Sequence, residues 1–292
     1  MKIIQLKNYT HTQMTGFIVV TEDHHIIVVD GGNGKDTDGF LARLQWVAAK
    51  YNCPYRVDLW LLTHPHDDHY GVFCRLSRME RAGVQGLPEI CSFAYEPLDD
   101  SYAFTDHSKI SWQLPELNAE LAVTHLPLHP FRKGDRYSFG SLTVEILRTA
   151  NPAIPGLNNA SAVIRFTERR DSADDFVWLV LGDLSVSGGE ELLRMYPDGL
   201  AADAVQMAHH GQNGVDRPVY EAIRPRFAFW TTPDWLWTNT DPHGGEPGKG
   251  PFATLRVRQW MEELGARPIR ASESDMELDT LTETSAALPT PF

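Results

Sequence analysis

The stretch DLWLLTHPHDDHYG, residues 58–71, limits what this chain can fold into more than any other part of it. Its apolar run, Leu59 to Leu62, stops abruptly, and three histidines and two aspartates follow between His64 and His69. An apolar run this short, bounded this way, reads as a buried strand that hands polar groups to its end. Pro65 pushes His64 into an extended conformation. In extended chain, residues i and i+2 point to one side, so His64 and His66 can grip one metal ion. Asp68 and His69 lie just beyond and, once the chain bends, can serve a second ion.

The rest of the composition narrows the class. The 292 residues carry 26 basic and 39 acidic side chains, a net charge of −13, with no dense Lys/Arg stripe. A long nucleic-acid duplex is normally met by a basic surface, because phosphate neutralisation supplies most of that affinity. The balance therefore favours a small-molecule substrate; nucleic acid is admitted as a partner but not supported by charge. No window approaches the ~20 apolar residues of a membrane helix, and no basic-apolar leader pattern opens the chain, so a cytoplasmic protein without a membrane partner is expected. The sequence leaves the oligomeric state open. Cys53, Cys74 and Cys91 are odd in number and lack C-x-x-C pairing, which points to a reducing compartment and to small core residues.

Taken in order, residues 1–30 alternate like paired strands with a turn at Glu22–Asp23, ending in Asp30-Gly31-Gly32. Asp30 either orients a metal-binding histidine from behind or stabilises its own turn. Residues 37–52 and 71–82 have helical periodicity, giving the β-β-α-β-α order of an α/β protein. Residues 84–135 are weaker in pattern and form a candidate insertion covering the site; 89–95 reads as a strand. Here His107, His125 and His129 lack ligand spacing and read as loop histidines. A hairpin over 136–147 follows, then strands SAVIRF and FVWLVL, the second ending in Gly182-Asp183. A short helix is expected over 188–196. ADAVQMAHHGQNG, residues 202–214, is another strand ending in ligand-type residues, His209 and His210. A strand at 226–232, a helix at 252–265 and a strand at RPIRAS continue the alternation. Trp235, Trp237 and His243 lie in a Trp/Gly/Pro-rich loop, either as part of a substrate lid or with the tryptophans as core anchors. One domain over 1–278 is expected, with 279–292 a disordered tail.

These blocks together resemble the metallo-β-lactamase fold superfamily over about residues 1–278. VVDGG (28–32), LLTHPHDDHYG (61–71), LVLGD (179–183) and AHHG (208–211) stand in that family's order. LNNASAVIRF and the HHG block look most like the hydrolase domain of the DNA-uptake protein ComEC and its soluble relatives; phosphorylcholine esterase also looks similar. The resemblance implies an α/β architecture, a four-layer αββα sandwich with a two-metal site at one edge of the sheets. It implies that His64 and His66 hold one divalent ion, Asp68 and His69 the other, with Asp183 bridging. A histidine of the 209–210 pair would complete the second site, His210 being favoured and His209 standing beside the substrate. Many family members supply a third histidine to the first metal; here the equivalent stretch reads Asn158-Asn159-Ala160-Ser161, with Asn or water completing the shell. That departure weakens a β-lactamase reading and favours a harder ion such as Mn²⁺ over Zn²⁺.

The function expected is hydrolysis by a hydroxide bridging the two ions, Zn or Mn, on a phosphodiester. Asp68 would orient the nucleophile, and His209 or His243 would stabilise developing charge. Ester, thioester or lactam hydrolysis, and a non-catalytic metal-binding scaffold or sensor, are the alternatives.

Overall fold

The computed structural model describes residues 1–104, 110–171, 173–241 and 243–291. Its strands are β1 (Lys2–Gln5), β2 (Gly16–Val20), β3 (Ile26–Asp30), β4 (Arg56–Val57), β5 (Leu59–Leu61), β6 (Glu89–Ile90), β7 (Phe93–Tyr95), β8 (Leu128–Pro130) and β9 (Arg136–Phe139). They continue with β10 (Leu142–Arg148), β11 (Val163–Glu168), β12 (Phe176–Val180), β13 (Ala204–Gln206), β14 (Phe227–Trp230), β15 (Arg267–Arg270), β16 (Met276–Asp279) and β17 (Thr284–Ala287). The helices are α1 (Thr37–Lys50), α2 (Asp67–Arg81), α3 (Gln113–Leu121), α4 (Val186–Met195), α5 (Arg217–Ile223), α6 (Asp234–Trp237) and α7 (Thr254–Glu263).

Two sheets face each other. One runs β17-β16-β1-β2-β3-β5-β7-β8 and the other β15-β14-β13-β12-β11-β10-β9; β4 and β6 pair separately. Alternation along β2 explains the layering. Phe17 and Val19 enter the core between the sheets, with Val144, Phe166, Trp178 and Phe229, whereas Ile18 and Val20 face the α1/α2 layer with Phe40, Leu44, Val47 and Phe73. Both faces are buried, so the strand is apolar throughout rather than half polar. On the other side, Leu179, Val205 and Ala228 pack against Leu192, Val219, Tyr220 and Met261 of α4, α5 and α7. The result is the expected αββα sandwich.

The site is positioned by strand direction. β3, β5 and β7 run parallel in one sheet, and β12 to β15 run parallel in the other. Neighbouring parallel strands finish at the same rim, the usual place for a site in such sheets. Asp30 ends β3, His64 follows β5, Asp183 follows β12, and His209-His210 follow β13.

Several expectations change. α2 begins at Asp67, not near Gly71, so Asp68 and His69 sit in its first turn, where carboxylates suit the positive end of the helix dipole. The 89–95 strand is divided: β6 pairs with β4, and β7 pairs with β5. Within the weakly patterned 84–135 stretch, α3 begins at Gln113, and His107 lies outside the described residues. His125 is an exposed side chain 3.4 Å from Glu80, but His129 lies on the edge strand β8 rather than in a loop. The tail at 279–292 is not disordered where described. β17 pairs with β16, Leu288 is buried, and the Arg43 guanidinium donates to the Pro289 carbonyl. A strand this short and mostly exposed has no hydrophobic period to reveal it; pairing with β16 supplies its order.

Candidate metal centre

The first ligand group is built on the β5–α2 connection. The Thr63 hydroxyl donates to the Asp30 carboxylate at 3.0 Å and lies 3.1 Å from His64 Nδ1. With its proton given to Asp30, Thr63 Oγ1 accepts from His64 Nδ1, which leaves His64 Nε2 bare. That nitrogen lies 3.0 Å from His66 Nδ1 and 3.8 Å from Asp183 Oδ2. His69 Nδ1 donates to Asp30 Oδ2 at 2.8 Å, which turns its Nε2 to the carboxylates, 3.3 Å from Asp183 Oδ1 and 4.0 Å from Asp68 Oδ2. Asp30 therefore orients a histidine from behind, and its carboxylate also accepts from the Thr63 backbone N–H. Gly71 lets α2 dock here: a Cβ on it would stand 2.3 Å from Gly34 N.

The second sheet contributes Asp183 and the turn Ala208–Gly211. Gly182 takes a positive φ of 56°, where a Cβ would meet Ser161 Oγ at 2.7 Å, and Asp183 N donates to that same hydroxyl. His209 and His210 both occupy the left-handed region, at φ 52° and 54°. The His209 N–H bonds to the Gly182 carbonyl, and the Thr232 hydroxyl donates to the His210 carbonyl, fixing this turn. His210 Nδ1 donates to the Thr231 carbonyl at 3.1 Å, leaving Nε2 3.0 Å from Asp68 Oδ2 and 3.3 Å from Asp183 Oδ2.

Ligand atoms of His64, His69 and Asp183 lie within 4.8 Å of one another, as do those of Asp68, His69 and His210. Asp183 touches both groups, and His66 joins through His64. Of the 209–210 pair, His210 is buried in the cluster, whereas His209 is partly exposed, its Nε2 3.9 Å from Asp183 Oδ2. His66 Nε2, His69 Nε2 and Asp183 Oδ1 are buried without a hydrogen-bond partner; the last two, though 3.3 Å apart, are not aligned to make one. Buried polar atoms are rarely left so, and imidazole nitrogens around carboxylates suit divalent cations.

The electrostatics say the same. Burial lowers His64 well below its usual value, helped by neighbouring His69, and lowers His66 to about 4. Burial would also lower His69 and His210, but Asp183, Asp30 and Asp68 outweigh it for His69, and Asp183 and Asp68 raise His210 to about 10. Burial would raise Asp183 and Asp68, yet the facing histidines hold both below the ordinary carboxylate range. Protons on His69 and His210 thus neutralise carboxylates that cations would otherwise neutralise.

A cleft of about 310 Å³ opens on the cluster, lined by Asp68, His66, Asp183, Asn158, His209 and Gln113 among others. Ile110 alone among its described lining residues is apolar. His243 is brought to neither cluster nor cleft: it lies on an exposed turn, its N–H donating to Asp241. Trp237, at the end of α6, packs on Trp230 at 5.2 Å and under Arg258, which makes it a core anchor. Two participants escaped the spacing of the sequence. Asp67 lines the cleft and accepts from Gln113, and buried Arg148 holds the carbonyls of Asn159 and Ser161. An acidic first turn ahead of the 71–82 period could have exposed Asp67; nothing local marks Arg148.

The architecture and rim cluster define a metallo-β-lactamase fold protein. YhfI of Bacillus subtilis, a protein of that fold, superposes with a TM-score of 0.51 at 13% identity over 92% of this chain and 96% of its own. A mutant of the CmlA β-hydroxylase gives 0.53 at 13% identity, over 98% of this chain and 54% of that one. In sequence, ComE operon protein 3 of Bacillus subtilis (strain 168) is 23% identical over 175 residues, 60% of this chain. The match spans only 20% of that protein's length, and it fits the ComEC-like resemblance. No family model matches the chain. No helix among the described residues is long and apolar enough to cross a membrane.

Proposed function

We propose that this chain is a metal-dependent hydrolase acting on a phosphodiester of small size, using two divalent ions, Zn²⁺ or Mn²⁺, held by His64, His66, Asp68, His69, Asp183 and His210. One observation carries the reading: the Nε2 atoms of His69 and His210 converge on Asp68 and Asp183, while their opposite nitrogens are fixed by Asp30 and the Thr231 carbonyl. The fold alone is not the argument, since a β-hydroxylase shares it.

Two such ions supply a water acidified to near neutrality and stabilise charge on both oxygens of an in-line displacement. The chain's own groups do the rest. Asp68, reaching the cleft from the first turn of α2, both completes a ligand group and accepts a proton or hydrogen bond from the attacking water. His209 stands at the cleft wall with Nδ1 held by the Asn213 carbonyl at 3.3 Å, which turns Nε2 toward Asp183 and the place where an oxyanion would develop. The polar lining suits an ionic substrate better than an acyl chain, and the ComEC-like blocks favour a phosphodiester. Cytoplasmic residence accords with the unpaired cysteines.

Turnover of bis(p-nitrophenyl) phosphate, measured beside p-nitrophenyl acyl esters and a cephalosporin, tests the substrate class. The expected result is metal-dependent phosphodiester cleavage abolished by His64→Ala. Hydrolysis confined to the acyl compounds would overturn it.

A further inference from the structure

A second, larger depression of about 610 Å³ lies beside the metal cleft, and the reaction described so far leaves it unused. Asn33 and Asp67 line both, so the two are continuous. The floor of the larger one is a stripe of α2, Asp67, Gly71, Cys74 and Arg78 at helical spacing. At ~1.5 Å per residue this floor leads about 16 Å away from the first turn that carries Asp68 and His69.

One wall is the turn over residues 33–38. It is pinned to α2 where Gly34 meets Gly71 backbone to backbone, a Cβ on Gly34 standing 3.2 Å from the Gly71 carbonyl oxygen. Lys35 N donates to Asn33 Oδ1 at 3.1 Å, which fixes the base of the lysine beside the groove. The other wall is the start of α3. Gln113 Nε2 donates to Asp67, the Tyr70 hydroxyl donates to the Gln113 carbonyl at 3.0 Å, and Ser77 and Arg78 reach Glu120. α3 is thus clasped to α2, and Trp112, immediately before it, lines the groove with half its surface exposed.

The charges here are unevenly satisfied. Arg78 is neutralised by Glu116 and Glu120 at 3.0 and 3.1 Å. Among the described residues Lys35 and Arg75 pair with no carboxylate, and both are exposed on the groove. Of the described acids lining it, Asp38 alone has no partner, so free positive charge outweighs free negative charge in a chain of net charge −13. Solitary surface cations are ordinary. Two of them lining one groove with an exposed indole, continuous with a metal cleft, make a recognition surface.

We propose that this groove binds one arm of the phosphodiester, and that the arm is nucleotide-like: a flat ring stacked on Trp112 and a second phosphate met by Lys35 and Arg75. An indole face accepts any flat ring, and a guanidinium beside an ammonium suits the charge of a phosphate. The assignment rests on the hydrolase reading for the bond that breaks, but not for the binding itself.

The test measures binding and turnover separately. Thymidine 3′,5′-bisphosphate, thymidine 5′-monophosphate and deoxyribose 5-phosphate would be titrated calorimetrically into protein held in MnCl₂ at low ionic strength. Wild type should bind the bisphosphate roughly tenfold or more tighter than the monophosphate. The double variant Lys35→Gln/Arg75→Gln should lose that advantage. Trp112→Ala should weaken thymidine 5′-monophosphate by about fivefold or more, to the level of deoxyribose 5-phosphate. All three side chains are exposed, so the variants should fold, and melting curves check it. Equal affinity of wild type for the two nucleotides would overturn the proposal, as would an advantage that survives in the double variant or a ring preference that survives in Trp112→Ala. The binding pattern without turnover of any phosphodiester would support the groove and sink the hydrolase. Phosphodiester turnover without the pattern would support the hydrolase and sink the groove.

Discussion

The two sheets deliver their histidines by opposite means. On the first, His66 sits in extended chain and His69 in a helical first turn, a bend at His64 is closed by the His66 N–H on the His64 carbonyl, and Asp30 behind them is left-handed at φ 60°. On the second, His209 and His210 occupy left-handed conformations in succession, each costing roughly 1 kcal/mol or more. That turn survives because its surroundings leave it no alternative: Gly182 beneath, Thr232 across, and Trp230 packed where Gly211 lacks a side chain. Both halves rest on close backbone approaches, at Gly71 and at Gly211; the first adds a hydrogen-bond chain through Asp30 and Thr63, the second two left-handed histidines in succession.

The largest test strikes the strained half. Gly211→Ala adds a Cβ 2.4 Å from the Trp230 ring at a φ of 76°. The variant should lose about 3 kcal/mol of stability by urea unfolding. A loss below about 1 kcal/mol would mean the turn is not over-determined. Next, Asp30→Asn strikes the other half. It keeps the acceptor for Thr63 but removes the charge behind His69, and should lower metal affinity by roughly 10- to 100-fold. Its metal-free melting temperature should move little, and a large fall there would break the contrast. The smallest effect concerns Glu96, which joins the sheets at the same rim by accepting from Ala150 N at 2.7 Å. Burial raises its carboxyl to about 7, above the usual 4.5. A raised folded value means that stability falls as pH climbs from about 4.5 to about 7 and is level above. Glu96→Gln should remove that slope, making the variant about 1 kcal/mol more stable than wild type at pH 8, Glu96 being only partly buried. Parallel pH profiles would refute it.

The same contrast governs what the sequence reveals. His64, His66, Asp68 and His69 are legible because a local spacing encodes a local geometry. Asp183 and His210 are legible at one remove, since each follows a buried apolar run and strand ends of parallel sheets meet at one rim. The left-handed turn is not legible, because two histidines carry no signal for positive φ. Nor is Arg148, whose role depends on carbonyls that folding brings to it. His243 looked eligible beside Trp235 and Trp237, but the loop turns it to solvent. β17 was invisible for want of apolar residues, and α2 began early because dipole and carboxylate chemistry, not hydrophobic period, sets its start.

The ligand cluster draws on both sheets: four members hang from the first and two from the second. Any cation seated there ties the leaves of the sandwich together along one seam, much as a rivet holds two plates. Shear between the leaves must tear coordination bonds at that seam before the apolar filling can slip. Resistance to unfolding thus becomes linked to dissolved metal, and a chelator should soften this margin of the protein before its opposite end.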